Sequence, residues 1–166
     1  VANRVYNAGT ATSVSFANDR IYGDILTTSY SSAAFEDKNV GTGKAVNVSG
    51  ITLGGTDAGN YTYNTTTTTT ANISKLNISL KGVTAAGKVY DGTTAATIGG
   101  AAYVSALGTD SVSVEGLGTG TFSSKNAGFS KIVNINIGGY TLSGADAGNY
   151  NPIAPLDVRA DITKLG

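Results

Sequence analysis

The chain contains no cysteine, no histidine, no methionine and no tryptophan, and it has only two prolines in 166 residues. Without cysteine, neither a disulfide nor a thiol nucleophile can hold or serve it. Without histidine, the commonest general base and zinc ligand is missing. A carboxylate pair of the glycoside-cleaving kind is the remaining catalytic option. The 11 acids, however, are mostly Asp in turn contexts, and nothing marks two of them as facing each other. The expectation is a chain that is not an enzyme and uses no cofactor and no metal.

Charge is also scarce, at 13% of residues, with 11 basic and 11 acidic side chains cancelling. No basic cluster exists to attract nucleic acid or an anionic bilayer surface. No apolar run approaches the roughly 20 residues that span a membrane as a helix, so no membrane insertion is expected. The charged residues that build long helices are few. The chain is instead rich in Gly (23), Thr, Ser, Val, Ile and Tyr (9), which suit pleated, half-buried strands and the turns between them. The fold class expected is all-β.

The chain repeats itself. "GTDAGNYTYN" from Gly55 returns as "GADAGNYN" from Gly144, and other blocks follow in the same order. Arg4-Val5-Tyr6-Asn7 matches Lys88-Val89-Tyr90-Asp91 at an offset of 84, and "FEDKNVG" from Phe35 matches "FSSKNAG" from Phe122 at 87. "LGGTDAGNY" from Leu53 matches "LSGADAGNY" from Leu142, and "ANISKL" from Ala71 matches "ADITKL" from Ala160, both at 89. An insertion of two residues is accommodated by Gly138-Gly139. The reading is two tandem small β-sandwich-like modules arranged end to end, residues 1–75 and 76–166. The first lacks a counterpart of "NISLKGVTAA", so the chain reads as a piece of a longer array.

Strict apolar–polar alternation predicts a strand over Leu156–Thr163 with one buried face. Val133, Ile135 and Ile137 predict another, and "SVSVE" from Ser111 a short third; "AAYVSALG" from Ala101 is the one place for a helical turn. Ala71 and Ile73 lie in one phase, while Leu76, Ile78 and Leu80 lie in the other. A last strand that runs straight into the first strand of the next module, with no Pro/Gly linker, predicts a stiff pair.

The repeated phrase reads as a turn. Asp57 and Asp146 cap their own backbone, Gly59 and Gly148 take positive φ, Asn60 and Asn149 tolerate it, and Tyr61 and Tyr150 enter the next strand as core anchors. A Ca²⁺ or glycan site is the alternative, but each phrase offers one carboxylate where calcium loops offer several. Tyr90-Asp91-Gly92 reads as a hairpin turn with Tyr90 packed inward. Lys38-Asn39 and Lys125-Asn126 could suggest an isopeptide pair, but neighbours on a strand face opposite ways. Five Asn-x-Ser/Thr sequons, at Asn47, Asn60, Asn64, Asn72 and Asn77, are what an Asn- and Thr-rich chain generates by chance. The run Thr65–Thr70 reads as the lead-in to a strand.

"KVYDGTT" from Lys88, "FSSKNAG" from Phe122 and "LSGADAGNYN" from Leu142 resemble the YDG repeat, related to MBG repeats, of large bacterial adhesins of the filamentous-haemagglutinin type. The likeness covers nearly all of the second module and Phe35–Leu76 of the first, where Tyr6-Asn7-Ala8 replaces the motif that names the family. The resemblance implies β-rich tandem repeats, secreted and held at a bacterial cell surface, with neighbouring repeats as the main partners and no catalytic residues. It implies a stalk that serves adhesion and biofilm formation, monomeric as a fragment. The alternative is a module that binds a glycan or exopolysaccharide through exposed tyrosines of the atypical first half, with Tyr22, Tyr30 and Tyr63 as candidates.

Overall fold

The computed structural model describes residues 1–166. The chain is all-β and divides into two compact units, Val1–Lys75 and Leu76–Gly166. The first unit holds β1 (Arg4–Val5), β2 (Thr27–Ser29), β3 (Ser32–Phe35), β4 (Gly41–Ser49), β5 (Thr52–Gly54) and β6 (Thr66–Ser74). The second holds β7 (Leu76–Ser79), β8 (Thr84–Ala85), β9 (Lys88–Val89), β10 (Ala95–Ala96), β11 (Ile98–Gly99) and β12 (Ser113–Gly116). It continues with β13 (Thr119–Phe122), β14 (Gly128–Asn136), β15 (Tyr140–Ser143), β16 (Tyr150–Ile153) and β17 (Arg159–Thr163).

The main sheet of the first unit runs β1-β6-β4-β3, and Ala11 bridges Ala34 beside β3. The threonine run forms much of β6, where branched side chains suit the pleat. It pairs antiparallel with β4 from Ser49↔Thr66 to Gly41↔Ile73. Alternation along these strands sends Val46, Val48, Ala71 and Ile73 inward, where they join Tyr6, Ala33, Phe35 and Ile51 in a buried core. Each large apolar side chain hidden in this way contributes roughly 1.5–3 kcal/mol.

The second unit repeats the plan with more strands. Its main sheet runs β10-β13-β14-β17-β9, and β12 pairs β15 as β2 pairs β5. Phe122, Val133, Ile135 and Ile162 are buried in the places of Phe35, Val46, Val48 and Ile73, and Leu80, Val83 and Ile98 add to that core. Leu80 and Val83 lie between β7 and β8, ahead of the first repeated block. There β7 runs parallel to β16, from Tyr150↔Leu76 to Ile153↔Ser79, and Lys81 bridges Tyr103 on its other side.

Both units carry a bulge at the start of the long central strand, between Gly41 and Lys44 and between Gly128 and Lys131. The left-handed residue is Gly43 (φ 62°) in one and Ser130 (φ 49°) in the other. Its amide donates to Asn72 Oδ1 at 2.8 Å or to Asp161 Oδ1 at 2.7 Å.

Three local expectations are corrected. The last strand begins at Arg159 rather than Leu156, and Leu156 is 93% exposed. Its alternation goes unused because pairing with β14 reaches only Ile132↔Arg159, followed by the Val133 N–H donating to the Val158 carbonyl at 2.8 Å. Pro155, standing where the first unit has Thr66, has no N–H to carry the ladder further. Residues Ala101–Gly108 form no helical turn; Tyr103 is held in the bridge to Lys81 instead. Lys38-Asn39 and Lys125-Asn126 lie in turns, not on strands.

Candidate functional site

The repeated phrase builds a clasp, and it does so twice with the same set of bonds. In the first unit the Tyr61 hydroxyl accepts the Ile21 N–H at 2.9 Å and donates to Asp24 Oδ2 at 2.6 Å. Asp57 Oδ2 accepts the Ile25 N–H at 2.8 Å. In the second unit the Tyr150 hydroxyl accepts the Leu107 N–H at 2.9 Å and donates to Asp110 Oδ2 at 2.6 Å. Asp146 Oδ2 accepts the Ser111 N–H at 2.9 Å. The phrase thus grips the main chain of a distant loop, residues 21–25 or 107–111, which leads into β2 or β12.

This geometry changes the roles of several residues. Asp57 and Asp146 do not cap their own turn; Ala58–Asn60 and Ala147–Asn149 form single 3₁₀ turns with no side-chain cap. Gly59 and Gly148 do not take positive φ. That conformation belongs to the first glycine of the phrase, Gly55 (φ 108°) and Gly144 (φ 109°). A Cβ there would lie 2.2 Å from the Ile25 carbonyl oxygen or 2.4 Å from that of Ser111, so the loop can close only on glycine. Asn60 is exposed, whereas Asn149 is buried. Tyr150 opens β16 and is 1% exposed, but Tyr61 is half-buried and residues 61–64 belong to no strand. Beside the Asp24 carboxylate, which accepts its proton, the Tyr61 hydroxyl ionises above the ordinary phenol range.

Asp24 and Asp110 complete the clasp and escaped the sequence reading. Their signal was present: "GD" and "GTD" stand the same distance ahead of β2 and β12, at an offset of 86 between the 84 and 87 of the flanking blocks. Each clasp brings together two carboxylates, and both already accept protein donors. No three His, Cys, Asp or Glu side chains gather anywhere as metal ligands.

Tyr90-Asp91-Gly92 is a turn but not a hairpin. β9 and β10 stand at opposite edges of the main sheet, and the short turn joins them because that sheet curls. Asp91 Oδ1 accepts the Thr93 N–H at 2.9 Å, and Gly92 takes φ 79°. The Lys88 ammonium lies 2.9 Å from the Asp91 carboxylate and 5.6 Å from the Phe122 ring centre. That ammonium, together with the Thr93 amide and hydroxyl, holds the Asp91 carboxyl down to about 2. Tyr90 is half-buried against the core. In the first unit Asn7 Oδ1 accepts the Gly9 N–H at 3.1 Å, Ala8 takes φ 63°, and Arg4 lies 4.7 Å above Phe35 while donating to the Gly9 and Ala11 carbonyls. The departure in sequence therefore keeps the same turn.

The three tyrosines named as ligand candidates do not form one patch. Tyr22 is fully exposed. Tyr30 is half-buried, edge-on to Phe16 at 5.8 Å, with its hydroxyl accepting the Val14 N–H at 3.3 Å. Tyr63 alone of the three lines a groove of about 330 Å³ in the first unit, floored by Leu26, Ile51 and Leu53 and walled by Phe16 and Tyr61. Among the sequons, Asn47, Asn72 and Asn77 use their side chains as acceptors for Thr68, Gly43 and Asn151.

No curated protein and no solved structure matches the chain. The family model for the YDG domain matches residues 1–71 and again residues 73–155. The two matches follow the two units and contain both clasps and both Asx turns, so the chain belongs to the YDG domain family.

Proposed function

We propose that this chain is a pair of structural repeats from the stalk of a secreted bacterial surface adhesin, extending a distal binding region from the cell. The observation that supports this is the duplicated clasp. Each unit holds its own loop with the same glycine, the same two carboxylates and the same tyrosine hydroxyl, all bonded within that unit. A side-chain set engaged in the same internal bonds in both units supports a role in shape. On this reading the chain is no enzyme and needs no cofactor or metal. Its partners are neighbouring repeats, and it is monomeric in solution.

Thermal unfolding tests this. The expected result is a melting temperature unmoved by EDTA, by millimolar Ca²⁺ and by a panel of bacterial and host glycans, with a monomeric mass by light scattering. A rise with one glycan at saturating, stoichiometric amounts would overturn the spacer reading in favour of an adhesive module. A rise with Ca²⁺ that EDTA reverses would place a metal at the clasp.

A further inference from the structure

Parallel pairing in this chain is confined to places where the opening segment of a unit meets its closing segment. In the first unit β1 lies against the end of β6, Arg4 beside Ile73 and Val5 beside Ser74, and the Tyr6 N–H donates to the Ser74 carbonyl at 2.8 Å. In the second unit β9 meets β17 the same way, Lys88 beside Ile162 and Val89 beside Thr163. The Tyr90 N–H there donates to the Thr163 carbonyl at 2.9 Å. A further parallel ladder joins β7 to β16, in register from Leu76↔Tyr150 to Ser79↔Ile153. The Leu80 N–H extends it to the Ile153 carbonyl at 3.0 Å, and Asn151 Nδ2 donates across it to Asn77 Oδ1 at 2.8 Å. Every other strand pair is antiparallel.

Direction decides how such pairs respond when a unit is pulled from its two ends. The opening strand is then drawn backwards and the closing strand forwards. An antiparallel pair so placed is strained at one end and opens bond by bond. In a parallel pair the same pull runs along the ladder, and the strands separate only by sliding past each other. The bonds of a parallel ladder are evenly spaced, so they take the strain together and fail together. Sliding also drags buried side chains out of the core in the same step. Ile78 and Leu80 are 8% and 1% exposed, and Tyr6, just past β1, is 2% exposed. A single residue, Lys75, separates β6 from β7, so tension leaving the first unit passes at once into a ladder of the second.

We propose that the parallel contacts are tension clamps: β1 on β6 in the first unit, and β7 on β16 with β9 on β17 in the second. Their function is to keep each unit folded while the chain is pulled along its length. This goes beyond spacing, because a spacer needs only a fixed length, whereas a clamp resists force in one direction more than in others. The use of the clamp rests on the stalk reading, which supplies the pull; its geometry does not. A glycan that raises the melting temperature removes the stalk reading and leaves the directional resistance standing. Equal resistance in all directions removes the clamp and leaves the ligand-free melting curve standing.

The test is single-molecule force spectroscopy on the full 166-residue chain, which has no cysteine of its own to compete with introduced thiol handles. In one form, Lys75→Cys and Gly166→Cys pull the second unit by its ends and shear both of its parallel ladders. In the other, Lys75→Cys and Gly148→Cys pull β7 and β16 from the same end and peel them apart. Lys75 is exposed, and a Cβ at Gly148 or Gly166 meets nothing within 4 Å, so both forms should melt together by calorimetry. The same β7–β16 bonds are broken in each, and only the direction differs. The expected result, at one pulling speed, is a mean unfolding force at least about twofold higher in the sheared form than in the peeled form. Equal forces, or a higher force on peeling, overturn the proposal.

Discussion

Tyr61 and Tyr150 make the same two hydrogen bonds to the same kind of loop, yet one is half-exposed and the other is 1% exposed. The bonds therefore do not set the burial. The covering strand does: Leu76 lies in register with Tyr150, and nothing lies in register with Tyr61. A hydrogen-bonded clasp can fix a loop without a complete core beneath it, and the core is what turns that clasp from positioned to inaccessible.

The comparison is broken most forcefully by truncating each tyrosine. Tyr150→Ala should cost about 3–5 kcal/mol and unfold the second unit under mild denaturant, because a buried aromatic is lost. Tyr61→Ala should cost roughly half of that or less. Urea titration followed by residue-resolved hydrogen exchange checks both, and equal costs would mean that the covering strand contributes nothing to the tyrosine.

The loop contact should instead be indifferent to cover. Gly55→Ala and Gly144→Ala each force a side chain into a carbonyl at positive φ, so each should cost about 3 kcal/mol, the two being alike within about 1 kcal/mol. Melting curves of the two variants decide this.

A smaller contrast lies in the Asx turns. Ala8 holds a left-handed conformation that Gly92 adopts freely, and the space around Gly92 is open. Ala8→Gly should stabilise the first unit by about 1 kcal/mol and Gly92→Ala should destabilise the second by about the same. Calorimetry of both variants tests the reciprocity.

The smallest effect is acid-dependent. The Asp91 carboxyl titrates at about 2 in the folded chain against an ordinary 3.8. Its stabilisation of the second unit is therefore complete above about pH 4 and fades as pH falls through about 2. Asn7 at the same place in the first unit does not titrate. Asp91→Asn should flatten the acid limb of the second unit's stability curve and leave the first unit's unchanged. The first unit keeps an acid-sensitive pair of its own: Asp37, 2.8 Å from Lys44, is held below the ordinary carboxylate range mainly by that lysine's hydrogen bond. The second unit has Ser124 there, a group that carries no carboxyl and whose Oγ accepts from the Lys131 ammonium at 2.7 Å.

Much of this was legible in the sequence. The repeat offsets anticipate the equivalence of Phe35 with Phe122, Val46 with Val133 and Ile73 with Ile162. Composition alone points to an all-β chain. The turn chemistry was less legible, because Gly and Asp carry a local meaning and a long-range one that a short window cannot separate. Asp57 could have bonded its own turn; only the fold brings the Ile25 amide within reach, 32 residues away. Alternation likewise predicted a strand from Leu156 because periodicity records which side chains could be buried. Whether a neighbouring strand is there to pair is settled elsewhere in the chain. Hairpin chemistry misled at Asp91-Gly92 for a related reason, since sheet curvature joins edges that a flat ladder would keep apart.

The clasp takes hold of its loop by main-chain N–H groups at positions 21 and 25, or 107 and 111, and, apart from Asp24 and Asp110, ignores the loop's side chains. Ile21, Tyr22 and Ile25 accordingly stand 70%, 103% and 61% exposed on a backbone that is pinned at both ends. A loop anchored through its backbone is free to vary in its surface. Substitution at those three positions changes what the module displays while leaving how it folds untouched, and that separation makes the loop a natural place for sequence diversification or for a grafted peptide.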